Sequence, residues 1–181
     1  MNKAVNQKGQ KSESPKKVRV IGGVWRSRLL TVIDLPGLRP STDRVRETLF
    51  NWLGQDLSGL RCLDLFAGTG ALGFEAASRN AQSVVLLEKD KKAHAQLQAN
   101  FKLLQSSPVS GAVEILQRDS LEYLKQQADH SSHLIFIDPP FQDAQLLNST
   151  LIEAARVCDD SQGGGIYVEF PSSRTREEVE A

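Results

Sequence analysis

Asp138-Pro139-Pro140-Phe141 closes the apolar run His133-Leu134-Ile135-Phe136-Ile137. These residue types suit one task, the holding of a planar amine. An exocyclic amine on a nucleobase is a weak nucleophile because its lone pair is delocalised into the ring. If the Asp138 carboxylate and the Pro139 carbonyl each accept one amine hydrogen, the lone pair turns toward an electrophile and charge growing on nitrogen is stabilised. Pro139 and Pro140 fix φ and carry no N–H, so the turn presents acceptors with little freedom. Phe141 is placed to stack on an extruded base. The plainer alternative is a strand stopped by prolines, with an Asx turn at Asp138.

Upstream, Cys62-Leu63-Asp64-Leu65-Phe66-Ala67-Gly68-Thr69-Gly70-Ala71-Leu72-Gly73 reads as a strand, a glycine turn and a helix start. That is the layout of a nucleotide-type cofactor site. Gly68, Gly70 and Gly73 also match G-x-G-x-x-G, which suits a dinucleotide equally well. Asp64 shifts the balance, because a carboxylate there repels a pyrophosphate and favours the ammonium of a methionine-like moiety. Together the two motifs predict methyl transfer from S-adenosylmethionine to an exocyclic nitrogen. Glu88 ends the next apolar run, where it can accept both ribose hydroxyl hydrogens or pair on the surface with Lys91 or Lys92. Asp119 can accept the adenine amino group, cap the helix that follows, or do both.

The elements that must position these groups follow from periodicity. From residue 61 onward, strands are predicted near 61–66, 83–88, 113–117, 133–138 and 165–170, and helices near 71–79, 90–105, 119–127 and 143–157. Such alternation predicts an α/β, Rossmann-like fold with a mostly parallel sheet and helices on both faces. Ligands then gather at the carboxyl ends of the strands, where Asp64, Glu88, Asp119 and Asp138 all fall. The first and fourth of these strands are expected to finish side by side. Before them, Val18–Gly23 and Arg28–Val32 form a small N-terminal β hairpin around a turn carrying Trp25, Arg26 and Arg28. Ser41-Thr42-Asp43 caps a helix with Val45, Leu49, Trp52 and Leu53 on one face and Arg44 and Arg46 elsewhere. The division expected is a disordered basic tail at 1–17, the hairpin extension at 18–40 and the catalytic domain at 41–181.

With 181 residues, 40% hydrophobic and 24% charged, the chain suits one soluble domain with a real core. No run approaches the roughly 18 apolar residues of a membrane span, and the lysine-dotted N-terminus lacks a secretory apolar core, so a cytoplasmic protein is expected. Cys62 and Cys158 read as free thiols. The net charge of zero hides a division: residues 1–50 hold 11 of the 22 Lys and Arg but only 4 of the 22 Asp and Glu. A basic arm on an acidic body suits a polyanion, although Lys3–Lys17 alone also fits a solvated tail. His94, His130 and His133 are scattered and read as surface or loop residues, so hydrolase and metal chemistry lack support.

The chain resembles, from about Val18 to Phe170, the bacterial small-subunit ribosomal RNA guanine-N2 methyltransferase family, which modifies a guanosine of 16S rRNA. Arg39-Pro40-Ser41-Thr42-Asp43-Arg44-Val45-Arg46-Glu47-Thr48-Leu49-Phe50-Asn51-Trp52-Leu53 is the most distinctive part, with Arg19-Val20-Ile21-Gly22-Gly23 before it and Asp64–Gly70 after it. The resemblance implies a class I S-adenosylmethionine-dependent methyltransferase in which Asp64, Phe66, Gly68, Gly70, Glu88 and Asp119 line the cofactor site, with Thr42 and Arg44 close by. It implies that Asp138, Pro139, Pro140 and Phe141 hold the guanine amine and that Arg19, Arg26 and Arg28 meet rRNA phosphates. The implied partner is 16S rRNA within the small subunit or its assembly intermediates, met by a monomer. Family members continue past the fifth strand into an antiparallel hairpin that completes a seven-stranded sheet; this chain ends at Glu180-Ala181 and reads as truncated. Rival readings are an amino-methyltransferase acting on adenine N6 or cytosine N4, an NAD-binding oxidoreductase, and a non-catalytic RNA-binding module.

Overall fold

Short apolar runs bounded by glycine and polar residues become strands, and the amphipathic segments between them become crossover helices. The computed structural model describes residues 16–33, 42–139, 144–161 and 163–169. The expectations for the tail at 1–15, for 34–41, for Pro140 and Phe141, and for 170–181 lie outside the described residues. Strands β1 (Lys17–Arg19) and β2 (Leu29–Thr31) pair antiparallel as the expected hairpin, shorter than the sequence suggests. Helix α1 (Asp43–Leu53) follows, with Thr42 as its N-cap accepting from the Val45 amide. Then come β3 (Arg61–Asp64), α2 (Ala71–Ser78), β4 (Ser83–Leu87), α3 (Lys91–Leu104), β5 (Ala112–Leu116), α4 (Ser120–Leu124), β6 (Leu134–Ile137), α5 (Ala144–Val157) and β7 (Gly165–Val168).

Five of these strands form a parallel sheet in the order β5-β4-β3-β6-β7. Alternation along each strand sends side chains to two cores. Cys62, Val84, Leu86, Leu134 and Phe136 meet α1, α2, α3 and the hairpin on one face. Leu63, Leu65, Leu87, Ile135 and Ile137 meet α4 and α5 on the other. Near-continuous apolar strands are what burial on both faces requires. Among the described residues no helix is long and apolar enough to cross a membrane.

The hairpin is held by polar side chains of α2. Glu75 accepts the Ile21 and Gly22 amides at 2.7 Å each, and Ser78 Oγ accepts the Trp25 amide at 2.8 Å while donating to the Gly22 carbonyl at 2.6 Å. Trp25 is buried against Phe74 and Phe101, and its indole N–H donates to the Ser107 carbonyl at 2.6 Å.

Two expectations need correction. The buried face of α1 is Arg46, Leu49 and Phe50, not Val45 and Trp52, which are 42% and 81% exposed. Arg46 can enter the core because its guanidinium reaches Asp43 at 2.7 Å and Glu75 at 4.0 Å. His133 is not a surface histidine but is buried, since its Nδ1 accepts the Arg61 amide at 3.0 Å. Both cysteines are free, as read.

Candidate active site

The strand order places β3 between β4 and β6, so their carboxyl ends form one ledge. Cys62, Leu63 and Asp64 pair in register with Leu134, Ile135 and Phe136, which sets the glycine turn beside the Asp138-Pro139 turn. Beyond Asp64 the chain is clamped on both sides: the Leu65 amide donates to the Phe136 carbonyl at 3.1 Å and the Ala67 amide to the Leu87 carbonyl at 2.9 Å.

The glycines of the turn have physical reasons to be glycine. Gly70 sits at φ +82° as the N-cap of α2, and a Cβ there would run into the Phe74 ring and the Leu97 side chain. At Gly73 a Cβ would meet Leu86 and Asp64, so only glycine lets α2 lie this close to β3 and β4. Asn100 of α3 steadies the turn from below. It donates to the Thr69 carbonyl at 3.2 Å and to the Thr31 carbonyl at 3.0 Å, joining the turn to the hairpin.

Asp64 is buried, and its Oδ2 accepts the Gly73 amide at 2.9 Å. Burial pushes its carboxyl up to about 7, opposed by that hydrogen bond and assisted by the charge of Glu88. Glu88 accepts the Gly68 amide at 3.0 Å and the Asp90 amide at 2.7 Å, and burial raises its pKa as well. It therefore anchors the glycine turn, and does not pair with Lys91 or Lys92 among the described contacts. Asp119 does cap α4, accepting from the Leu121 and Glu122 amides at 3.0 and 3.1 Å, while its other oxygen accepts from Lys89 Nζ at 2.9 Å. Burial works against its charge, but the Lys89 bond and the capping amides hold its carboxyl below the usual range.

Asp138 stands half-buried at the end of β6 with Pro139 buried beside it. Its carboxyl is pushed up to about 8, by burial first and then by the charges of Glu169 and Asp64. Phe66 is half-buried and packs against the α4 and α5 core. Thr42 is spent on capping α1, and Arg44 is exposed on that helix. Arg19, Arg26 and Arg28 are exposed on the hairpin, Arg28 donating to Ser107 Oγ at 3.2 Å.

A methyl donor of the S-adenosylmethionine type fits these residues. Asp64 and Asp138 are carboxyls whose burial disfavours their charge, and no basic side chain pairs with either among the described residues. A cationic ligand at the ledge would supply a counter-charge. Sequence reasoning missed Glu169, which extends β7 level with Asp138, and Asn100, which sits in the α3 apolar stripe with Ala93, Leu97 and Leu104. A polar residue inside such a stripe was the available signal for Asn100.

The family model described as "Conserved hypothetical protein 95" matches residues 18–179. The chain belongs to that family. It is 49% identical over 125 residues to the ribosomal RNA small subunit methyltransferase D of Haemophilus influenzae, covering 68% of this chain and 64% of that protein. The enzyme of the same name from Escherichia coli strain K12 is 45% identical over 134 residues, covering 74% of this chain and 65% of that one. The chain thus spans less than two thirds of the length of these curated relatives. A crystal structure of a methylase candidate from Haemophilus influenzae superposes with a TM-score of 0.70 at 37% identity, over 88% of this chain and 85% of that one. The resemblance read from the sequence holds, and the fold is the Rossmann-like class I methyltransferase fold.

Proposed function

We propose that this protein transfers a methyl group from S-adenosylmethionine to the exocyclic N2 of a guanosine in 16S rRNA of the small ribosomal subunit. The reading is supported above all by the register of β3 with β6, which brings the glycine turn and the Asp138-Pro139 segment to neighbouring strand tips. When bound, S-adenosylmethionine supplies an electrophilic methyl group on a sulfonium. Asp64 meets the positive charge of the methionine moiety, Glu88 the ribose hydroxyls and Asp119 the adenine amine. Phe66, Gly68 and Gly70 complete the cradle, and Thr42 and Arg44 lie beside it.

Asp138 and the Pro139 carbonyl accept the two amine hydrogens, which turns the nitrogen lone pair toward the methyl group. No strong base is needed. The Asp138 carboxylate or water takes the proton once nitrogen has become cationic. Pro140 stiffens the turn and Phe141 stacks on the base. Arg19, Arg26 and Arg28 hold rRNA phosphates through the exposed hairpin. The 1–17 tail and the 18–40 hairpin serve as an RNA-facing extension of the 41–181 catalytic domain. The protein acts as a cytoplasmic monomer on the small subunit or its assembly intermediates.

The names of the curated relatives support an rRNA substrate, and the buried Asp64 argues against a pyrophosphate cofactor such as NAD. The test is to incubate the protein with methyl-labelled cofactor and unmodified small subunits and map the label. Label on N2 of one guanosine is expected. Label on adenine N6 or cytosine N4, or none, contradicts the reading.

A further inference from the structure

An amine held by Asp138 and the Pro139 carbonyl could equally be adenine N6 or cytosine N4, so these two acceptors alone do not choose the base. A second carboxylate stands next to Asp138. The Glu169 amide donates to the Ile137 carbonyl at 2.9 Å, one step beyond the Ile137–Val168 pair, so Glu169 lies level with Asp138 on the adjacent strand. Sheet alternation puts both on the face of Phe136 and Tyr167, whose rings meet edge to face at 6.4 Å. Asp64, paired with Phe136, shares that face. The charge of Glu169 is felt at the Asp138 carboxyl, consistent with this proximity. Tyr167 Oη donates to Glu169 Oε1 at 3.0 Å and fixes the carboxylate at the strand tip.

We propose that Glu169 is the residue that selects guanine, its carboxylate accepting the ring N1–H while Asp138 and the Pro139 carbonyl accept the N2 hydrogens. This rests on the guanine-N2 reading above. Guanine presents a ring N–H beside its exocyclic amine, and three donors then meet three acceptors. In adenine and cytosine the ring nitrogen beside the amine is a bare acceptor. It would face the Glu169 carboxylate lone pair to lone pair, and a buried polar pair left unmatched is a strong rejection. Tyr167 acts as a positioning residue for that carboxylate.

The test uses two RNA substrates, one carrying the guanosine located by label mapping and one carrying 2-aminopurine in its place. 2-Aminopurine keeps the N2 amine but has a lone pair at N1. The native protein is expected to prefer guanosine by about a hundredfold in kcat/KM. Glu169→Gln, whose amide N–H can meet an N1 lone pair, is expected to lose about tenfold or more on guanosine and to bring the ratio near one. Its affinity for S-adenosylhomocysteine stays within a few fold. Tyr167→Phe falls between the two.

Equal loss on both substrates in Glu169→Gln overturns the proposal. So does a native protein that uses both bases alike, a result that needs no folded variant. A native protein that methylates adenine or cytosine and not guanosine overturns the guanine reading itself, and the proposal with it.

Discussion

Asp64 Oδ2 accepts the Gly73 amide at 2.9 Å, tying the carboxyl that ends β3 to the first turn of α2. One oxygen is thereby committed to the fold, and the buried carboxyl is left at about 7, without a cationic partner among the described residues. A ligand ammonium bound there would lower that value and displace the proton. Calorimetry of S-adenosylhomocysteine binding at pH 6, in two buffers of different ionisation enthalpy, should show release of up to about one proton per site. Asp64→Asn should abolish the release and weaken binding by about tenfold or more. A binding heat independent of buffer would contradict the assignment.

Stability should fall with rising pH in the cofactor-free protein. Asp64 and Asp138 have folded-state values of about 7 and about 8, above the ordinary carboxylate value. The folded state therefore holds protons that the unfolded chain has shed. Their contribution is full below about pH 4 and is lost as pH climbs through 7 to 8. Thermal melting is expected to decline from pH 5 to 8.5, and Asp138→Asn to flatten the decline. A melting temperature that rises over this range would refute the sign.

Glu75 carries the hairpin. It accepts the Ile21 and Gly22 amides and the Arg79 guanidinium, whose NH2 lies 2.8 Å away, with Arg46 beyond at 4.0 Å. Glu75→Ala leaves two amides unmatched and takes from buried Arg79 its carboxylate partner, a loss of about 3–5 kcal/mol. Urea unfolding measures it. Glu75→Gln, which keeps an acceptor, should lose less, and a cost under about 1 kcal/mol for Glu75→Ala would show the network to be ornamental.

Lys89 and Asp119 can be separated. Lys89 is 78% exposed and takes an Asp119 oxygen that the proposed adenine contact would also use. Lys89→Ala should leave stability nearly unchanged and keep or raise cofactor affinity by a few fold. Asp119→Ala should weaken affinity about tenfold and remove the α4 cap, a loss of about 1 kcal/mol. If Lys89→Ala instead weakens binding as much as Asp119→Ala does, the lysine and not the carboxylate is the contact.

The sheet was legible because parallel strands buried on both faces read as apolar runs ending in glycine or proline, as at Leu63 and Ile135. The strand-tip carboxylates were legible for the same reason, since Asp64 and Asp138 sit at fixed short distances from those stops. What escaped depends on contacts distant in sequence. Arg46 reads as a solvent residue until Glu75 is brought opposite it. His133 reads as an exposed residue until β3 supplies the Arg61 amide beside it. Spacing sets Trp52 on one face with Leu49, but α1 turns Arg46, Leu49 and Phe50 inward. Glu169 sits at the tip of the fifth predicted strand, but its place beside Asp138 depends on which strand neighbours β6, and that only the β6–β7 register supplies.

The central claim is that the β6 tip holds the amine while the β3 and β4 tips hold the donor. Asp138→Ala tests it when methyl transfer to small subunits and S-adenosylhomocysteine affinity are measured on the same preparation. Transfer is predicted to vanish with affinity kept within a few fold. Parallel loss of both, or transfer that survives, would contradict the assignment.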